Sequence, residues 1–319
     1  MKKVFSMFCI LIITVLITLN LNASTNISLV LKVRYDLSKQ QVEKIGYSGY
    51  TNDLTNKSFT VKGENCEYSI ENNLNEVEDN PIAYVKYPTD ALTALGRTTN
   101  SRFRNTVYIS SIAPNGSSYR GTGFMIGPSA VATLAHNVFN SDYGGNYFIK
   151  SGTVFPGYND GNTPYGSAKI KNIIVYTPWL ENFDKDYDLA ILELDSNIGD
   201  KVGWLGLRYQ EESYIGTAVN ISGFPKHPNN FNVESMLMCF TKGTISLSTE
   251  RVLRSNNTKT QGGMSGAPVC IYSEDSGNTV IALHRATAIV NSTGEEFNTF
   301  LRITKPFFWD LVAYRDIRV

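Results

Sequence analysis

From Arg104 onward, apolar residues gather in short runs: TVYISSI, GTGFMIG, AVATLAH, KNIIVYT, LAILEL, TAVNISGF, MLMCFTKGTIS, GAPVCIY and TVIALHRATAIV. These runs are rich in β-branched and aromatic residues, and Gly, Pro, Asn and Asp separate them. Short strands at such spacing predict an all-β barrel or sandwich. The C-terminus departs from the pattern. Thr304 to Tyr314, TKPFFWDLVAY, sets Pro306 near the start of a helix and places Phe307, Leu311 and Tyr314 on one face. The pattern therefore predicts an all-β body closed by one C-terminal helix.

The N-terminal residues follow another rule. Met1-Lys2-Lys3 is basic, Val4 to Leu19 is apolar, and Leu21-Asn22-Ala23 ends on a small residue, the order of a secretory signal peptide over residues 1–23. The apolar run is shorter than the roughly 18 to 20 residues of a spanning helix, and polar Asn and Ser follow it, which favours export over a membrane anchor. Residues 24–93 form a second zone. Glu64 to Pro81, ENCEYSIENNLNEVEDNP, is acidic and Asn-rich without an apolar period and reads as a pro-segment or linker. The alternative is a small ordered N-terminal domain, to which ISLVLKVRY (Ile27 to Tyr35) could supply a strand.

Composition narrows the picture further. The 319 residues are 42% hydrophobic and 18% charged, with zero formal net charge, as in a globular protein with no electrostatic pull toward nucleic acid or anionic membrane. No internal repeat or block of like charge interrupts the chain. Of four cysteines, Cys9 leaves with the signal and Cys66 lies in the second zone, so Cys239 and Cys270 alone remain after processing. That is too few for a disulfide scaffold, and geometry decides whether they pair.

Candidate chemistry centres on TQGGMSGAPV, Thr260 to Val269. Alone, Ser265 among its glycines reads more readily as a turn serine than as a nucleophile. The chain holds only three histidines: His136, His227 and His284. His136 ends the AVATLAH run, where a strand hands a side chain to a cleft, and Asp188 opens DLAILEL, poised for burial at a strand start. Asp184 and Asp186 compete with Asp188 but sit in a charged loop. Acyl transfer needs a hydroxyl nucleophile, a base and a carboxylate that fixes the base's tautomer. The order His, Asp, Ser is that of chymotrypsin-like enzymes, and Ala267 stands where the Gly-x-Ser-x-Gly elbow requires glycine. Gly263 lets its N–H converge with that of Ser265 as a pair of oxyanion donors. His227, in FPKHPNN, reads as a surface loop residue, and no paired-histidine spacing suggests a metal.

Thr106 to Tyr314 resembles the bacterial glutamyl endopeptidases, secreted trypsin-like serine proteases, through GTGFMIGPSAVATLAHNVF, DYDLAILEL, VGWLGL, ISGFP, TKTQGGMSGAPV, IALH and RITKPFF. The resemblance implies two six-stranded antiparallel β-barrels of the chymotrypsin type, about 104–197 and 205–303. A C-terminal helix over about 304–315 would complete a protease domain at 94–319, behind a pro-segment at 24–93. It implies His136 as general base, Asp188 as orienting carboxylate, Ser265 as nucleophile, and the Gly263 and Ser265 amides as oxyanion donors. Thr260 and His284 match the positions that recognise a substrate carboxylate, and donors there would meet the cost of burying that charge. Lys259 stands where enzymes selective for basic residues carry an aspartate. TALGR, Thr93 to Arg97, is similar to the start of the mature relatives, which makes Ala94 the first mature residue with its amine beside the pocket. Three departures stand out. Gly121 and Asn137 replace a disulfide that some relatives close around the histidine, apolar Met264 rules out the acid that receives a new terminus in chymotrypsin-like zymogens, and Arg285, Ala286 and Thr287 follow His284 where relatives carry small residues.

The expectation is a secreted serine endopeptidase, made as a zymogen, that cuts proteins and peptides after acidic residues, Glu foremost. It would act as a monomer, without cofactor, metal or nucleic-acid partner, and away from the membrane once the signal is removed. Two other readings compete: the same triad with a different primary specificity, and a silent relative serving in binding or adhesion.

Overall fold

The computed structural model describes residues 30–47, 57–64, 93–95, 98–100, 103–226, 236–273, 276–289, 292 and 294–319. The expected signal peptide, Cys66, Arg97 and His227 lie outside the described residues. Early in the chain come β1 (Leu31–Asp36), β2 (Gln41–Tyr47), β3 (Ser58–Val61) and the two-residue β4 (Thr93–Ala94). The first half of the body comprises β5 (Thr106–Ile112), β6 (Ser118–Gly127), β7 (Ala130–Thr133), β8 (Ser151–Pro156), β9 (Ala168–Tyr176), helix α1 (Thr177–Asn182) and β10 (Ala190–Leu194). Helix α2 (Gly199–Val202) leads to β11 (Gly206–Gln210), β12 (Ala218–Gly223), β13 (Cys239–Thr244), β14 (Leu247–Ser248), β15 (Val252–Ser255), β16 (Pro268–Ser273), β17 (Gly277–Ile289) and β18 (Glu296–Arg302). Helix α3 (Lys305–Val312) completes the all-β body, as the pattern predicts.

Strands β5 to β10 close a six-stranded antiparallel barrel in the cyclic order β5-β6-β7-β10-β9-β8. Its wall explains why KNIIVYT and LAILEL read as continuous apolar runs. Ile173, Val175, Ala190 and Leu192 fill the barrel, while the alternating Ile174, Tyr176, Leu189 and Ile191 pack outside it with Phe307, Phe308 and Leu311 of α3. Strand residues alternate faces, and here both faces are covered.

The second half is a ten-stranded sheet whose antiparallel path runs β14-β15-β18-β17-β16-β12-β13-β4, with β11 pairing parallel to β17 and antiparallel to β3. β14 follows β13 after two residues and pairs with β15, and side chains add further links between β13 and the turn after β15. Lys259 N–H donates to Thr241 Oγ1 at 3.2 Å, and Thr244 N–H donates to Asn257 Oδ1 at 2.9 Å. Cys239 and Cys270 lie on β13 and β16, on opposite sides of β12. Two strand spacings, about 9–10 Å, exceed the reach of a disulfide between them.

The N-terminal strands join both halves. β1 continues the edge of β9 beyond its short pairing with β8, from Lys32 opposite Tyr176 to Asp36 opposite Asn172, and β3 pairs with β11. Lys32 forms a buried ion pair with Asp310 of α3, whose carboxylate also accepts from Tyr176 Oη at 2.8 Å. Arg34 bonds Glu193 at 2.7 Å, Arg315 donates to the Lys62 carbonyl, and Phe59 stacks on Phe308 at 5.8 Å. Removing one partner of a buried pair strands the other charge, so Lys32→Ala is expected to cost the precursor about 3–5 kcal/mol. A urea midpoint would show it, and adding Asp310→Asn is expected to recover part of the loss. An unchanged midpoint would remove the pair from the fold's stabilising contacts.

Candidate active site

Strand β7 ends at Thr133, and one turn of 3₁₀ helix, Ala135–Asn137, carries His136 out of the barrel wall. A second such turn, Lys185–Tyr187, delivers Asp188 just before β10. Because β7 and β10 are paired neighbours, the two residues meet. Asp188 Oδ1 accepts the His136 backbone N–H at 2.9 Å, and Oδ2 lies 2.8 Å from His136 Nδ1. The two-point seat places the proton on Nδ1 and leaves Nε2 as an acceptor. The Asp188 side chain is 3% exposed and the imidazole 27%. Burial opposes the charged imidazole, but the Asp188 charge and hydrogen bond outweigh it and raise the His136 pKa, with Arg285 pulling the other way. Asp184 instead accepts from Asp186 N–H at 3.0 Å, capping its own turn.

Ser265 sits in the turn before β16, held by its backbone. Its carbonyl accepts from Thr122 N–H at 3.0 Å and from Asn137 Nδ2 at 2.9 Å. Asn137 follows His136 directly, so this amide ties the serine turn to the histidine turn. Asn137 Nδ2 also donates to Thr133 Oγ1 at 2.9 Å. A Cβ on Gly121 would fall 2.6 Å from Asn137 Cγ, so the glycine makes room for that brace. The Gly121 and Asn137 positions, without cysteines, thus support the site through a polar bridge. Ser265 Oγ donates to the Arg285 carbonyl over a long 3.4 Å, and among the described residues no hydrogen bond joins it to the His136 ring. Gly263 takes the left-handed φ of 97°, and its carbonyl accepts from Thr122 Oγ1 at 2.9 Å. The N–H groups of Gly263 and Ser265 donate to no acceptor among the described residues.

Beside the turn, His284 and Thr260 are brought together, with His284 Nε2 2.7 Å from Thr260 Oγ1. His284 is 1% exposed, and burial lowers its pKa to about 4, opposed in smaller measure by the Met264 backbone and Asn298. The imidazole is therefore neutral near pH 7. Two further residues complete the cluster. Asn298 Oδ1 accepts from Thr260 Oγ1 and from Thr287 Oγ1 at 2.8 Å, while its Nδ2 donates to the Thr258 carbonyl at 2.7 Å. Sequence reasoning missed Asn298. Its signal was an amide inside the apolar strand EFNTFLR, opposite Thr287 in the hairpin. Met264 is fully buried in the core of the second half. Ala94 lies on β4 opposite Cys239, two residues before the Thr241 that takes the Lys259 N–H.

The sequence profile of the trypsin-like peptidase domain matches residues 121–283, which span His136, Asp188 and Ser265. The chain belongs to the trypsin-like peptidase family. It is a serine endopeptidase, and its substrates are proteins or peptides. A glutamyl endopeptidase of Bacillus licheniformis is 33% identical to this trypsin-like peptidase over 72% of the chain and 68% of the relative. A Bacillus subtilis protein described as an extracellular metalloprotease is 30% identical over 86% of the chain and 82% of the relative. Among the described residues, no group of three or more His, Cys, Asp or Glu is placed to hold a metal ion. The fold also matches a solved Glu endopeptidase at a TM-score of 0.59 and 24% identity, covering 72% of this chain and 98% of that one.

Proposed function

We propose that this peptidase hydrolyses peptide bonds after acidic residues, Glu foremost, with Ser265 as nucleophile, His136 as base and Asp188 as the carboxylate that orients it. The observation that carries the proposal is the two-point seat of Asp188 on His136, braced through Asn137 to the serine turn. His136 Nε2 takes the Ser265 Oγ proton as Oγ attacks the substrate carbonyl, and the oxyanion accepts the N–H groups of Gly263 and Ser265. Each such donor is worth about 3–4 kcal/mol in studied hydrolases. The imidazolium then protonates the leaving amine, and water repeats the sequence to release the acyl group. A fluorophosphonate that labels Ser265, with cut-site mapping in a denatured protein mixture, tests the reading. Absence of labelling would favour a silent binding protein, and cuts after another residue class a different specificity.

The glutamate preference rests on the cluster around His284 and on the name of the Bacillus licheniformis relative. A buried carboxylate needs donors, and the imidazole N–H and Thr260 hydroxyl supply them by turning from their bonds to Thr260 and Asn298. His284→Ala is expected to lower turnover on Glu peptides at least tenfold more than on Gln analogues, since hydrogen bonds to a charged partner contribute about 1.5–3 kcal/mol. Equal losses on both would make His284 a structural residue.

We further propose export by the signal at 1–23 and removal of 24–93, so that the protease domain at 94–319 begins at Ala94 and acts as a secreted monomer. A cationic amine near the pocket would attract a bound Glu carboxylate. Trimming to Ala94 is expected to raise activity on Glu peptides, and a one-residue extension to depress it. Terminal sequencing and assays of both forms check this, and indifference to the exact terminus would remove the amine from the mechanism.

A further inference from the structure

A bulge interrupts the pairing of β17 with β18 at one residue. His284 pairs with Phe300 and Ala286 with Thr299, leaving Arg285 without a partner across the ladder. Bulges beside active sites re-aim the side chain they carry. The Arg285 guanidinium leaves the sheet for the loop before β10, where Nη1 donates to the Lys185 carbonyl at 3.3 Å. Its charge is felt by the His136 ring, and its own carbonyl takes the Ser265 hydroxyl. Arg285 therefore stands between the strand that carries His284 and the loop that carries Asp188.

The other edge of β17 is open at this point. Up to Leu283 it pairs with β16, whereas from Ala286 to Ile289 its only described partner is β18. An open edge beside a nucleophile accepts an extended peptide as an added strand. Side chains of such a peptide alternate. With the cleaved residue turned toward Thr260, His284, Thr287 and Asn298, the residue before it turns to the opposite side, toward His136 and Arg285.

We propose that Arg285 reads a carboxylate on the residue immediately before the cleaved one, so that the enzyme favours paired acidic residues in its substrates. This rests on the proposed cleavage after acidic residues and extends it by one position. Arg285 is half-buried, and one of the five guanidinium N–H donors is engaged among the described residues, which leaves a fork for a carboxylate. Lys185 adds a second positive charge on the same loop. Asp184 of that loop turns its carboxylate to the Asp186 N–H.

The test uses the processed enzyme, standardised by fluorophosphonate titration, on peptides with Glu at the cleaved position and Asp, Ala or Lys before it. Asp is expected to exceed Ala in kcat/KM by roughly tenfold, and the ratio is expected to fall as salt rises. Arg285→Gln is expected to flatten the ratio, and Arg285→Glu to invert the order in favour of Lys. Equal rates on all three peptides, or an unchanged order in Arg285→Glu, would overturn the proposal. Cut-site mapping reads the two positions separately. A non-acidic cleaved residue would defeat the proposed glutamate specificity, while enrichment or absence of acids one residue earlier still decides the role of Arg285.

Discussion

Ser265→Ala is expected to lower turnover on the order of a millionfold, the loss seen when the nucleophile is removed from a studied triad. The same variant is expected to fold normally. Among the described residues the Ser265 hydroxyl makes one hydrogen bond, a long one to the Arg285 carbonyl, while Thr122 and Asn137 hold the turn by its backbone. Losing that hydroxyl is a minor change of the kind that stays within about 0.5 kcal/mol. Turnover on a Glu peptide and the urea midpoint, measured on one preparation, separate the two effects. If the processed variant keeps more than a trace of activity, the nucleophile lies elsewhere. A collapse of the midpoint would instead make Ser265 a residue of the fold.

Asp188→Asn is expected to cost about ten-thousandfold in kcat, because an amide cannot replace both functions of the carboxylate. Asp188 accepts two N–H groups of His136, one from the backbone and one from the ring. An asparagine oxygen can keep the backbone bond, but its NH₂ then faces Nδ1 and forces the ring proton onto Nε2, where the base must be bare. The pH profile supplies a second readout. Burial works against the His136 cation and the Asp188 charge outweighs it, so removing that charge lowers the pKa. A base is active only when neutral, so the acid limb of kcat/KM is expected to move to lower pH in the variant. A limb that moves up, or a kcat within tenfold of the native enzyme, would take Asp188 out of the role.

The strands were legible because their signal is local. β-branched and aromatic residues are written into the runs and turn residues between them, so the all-β body and the helix near Pro306 could be read directly, although the helix ends at Val312 and turns carry the chain through Tyr314. The order of His136, Asp188 and Ser265 was equally visible, since the chemistry constrains residue type and the fold class constrains sequence order. Contacts between distant segments were not visible. Lys32 meets Asp310 across 278 residues, and no period or turn in either segment encodes that meeting. Asn137 read, with Gly121, as a place where some relatives carry a disulfide, and only the close approach of Gly121 and the Ser265 carbonyl made it a brace. Asn298 became part of the His284 cluster because the β17–β18 hairpin sets it opposite Thr287, and Arg285 faces the site because a bulge at that residue turns it out of the ladder. The sequence by itself determined which segments extend, which faces are apolar and which side chains have suitable chemistry. Tertiary structure decided which of them meet, because pairing register and packing depend on the whole chain's burial and hydrogen bonding rather than on any one segment.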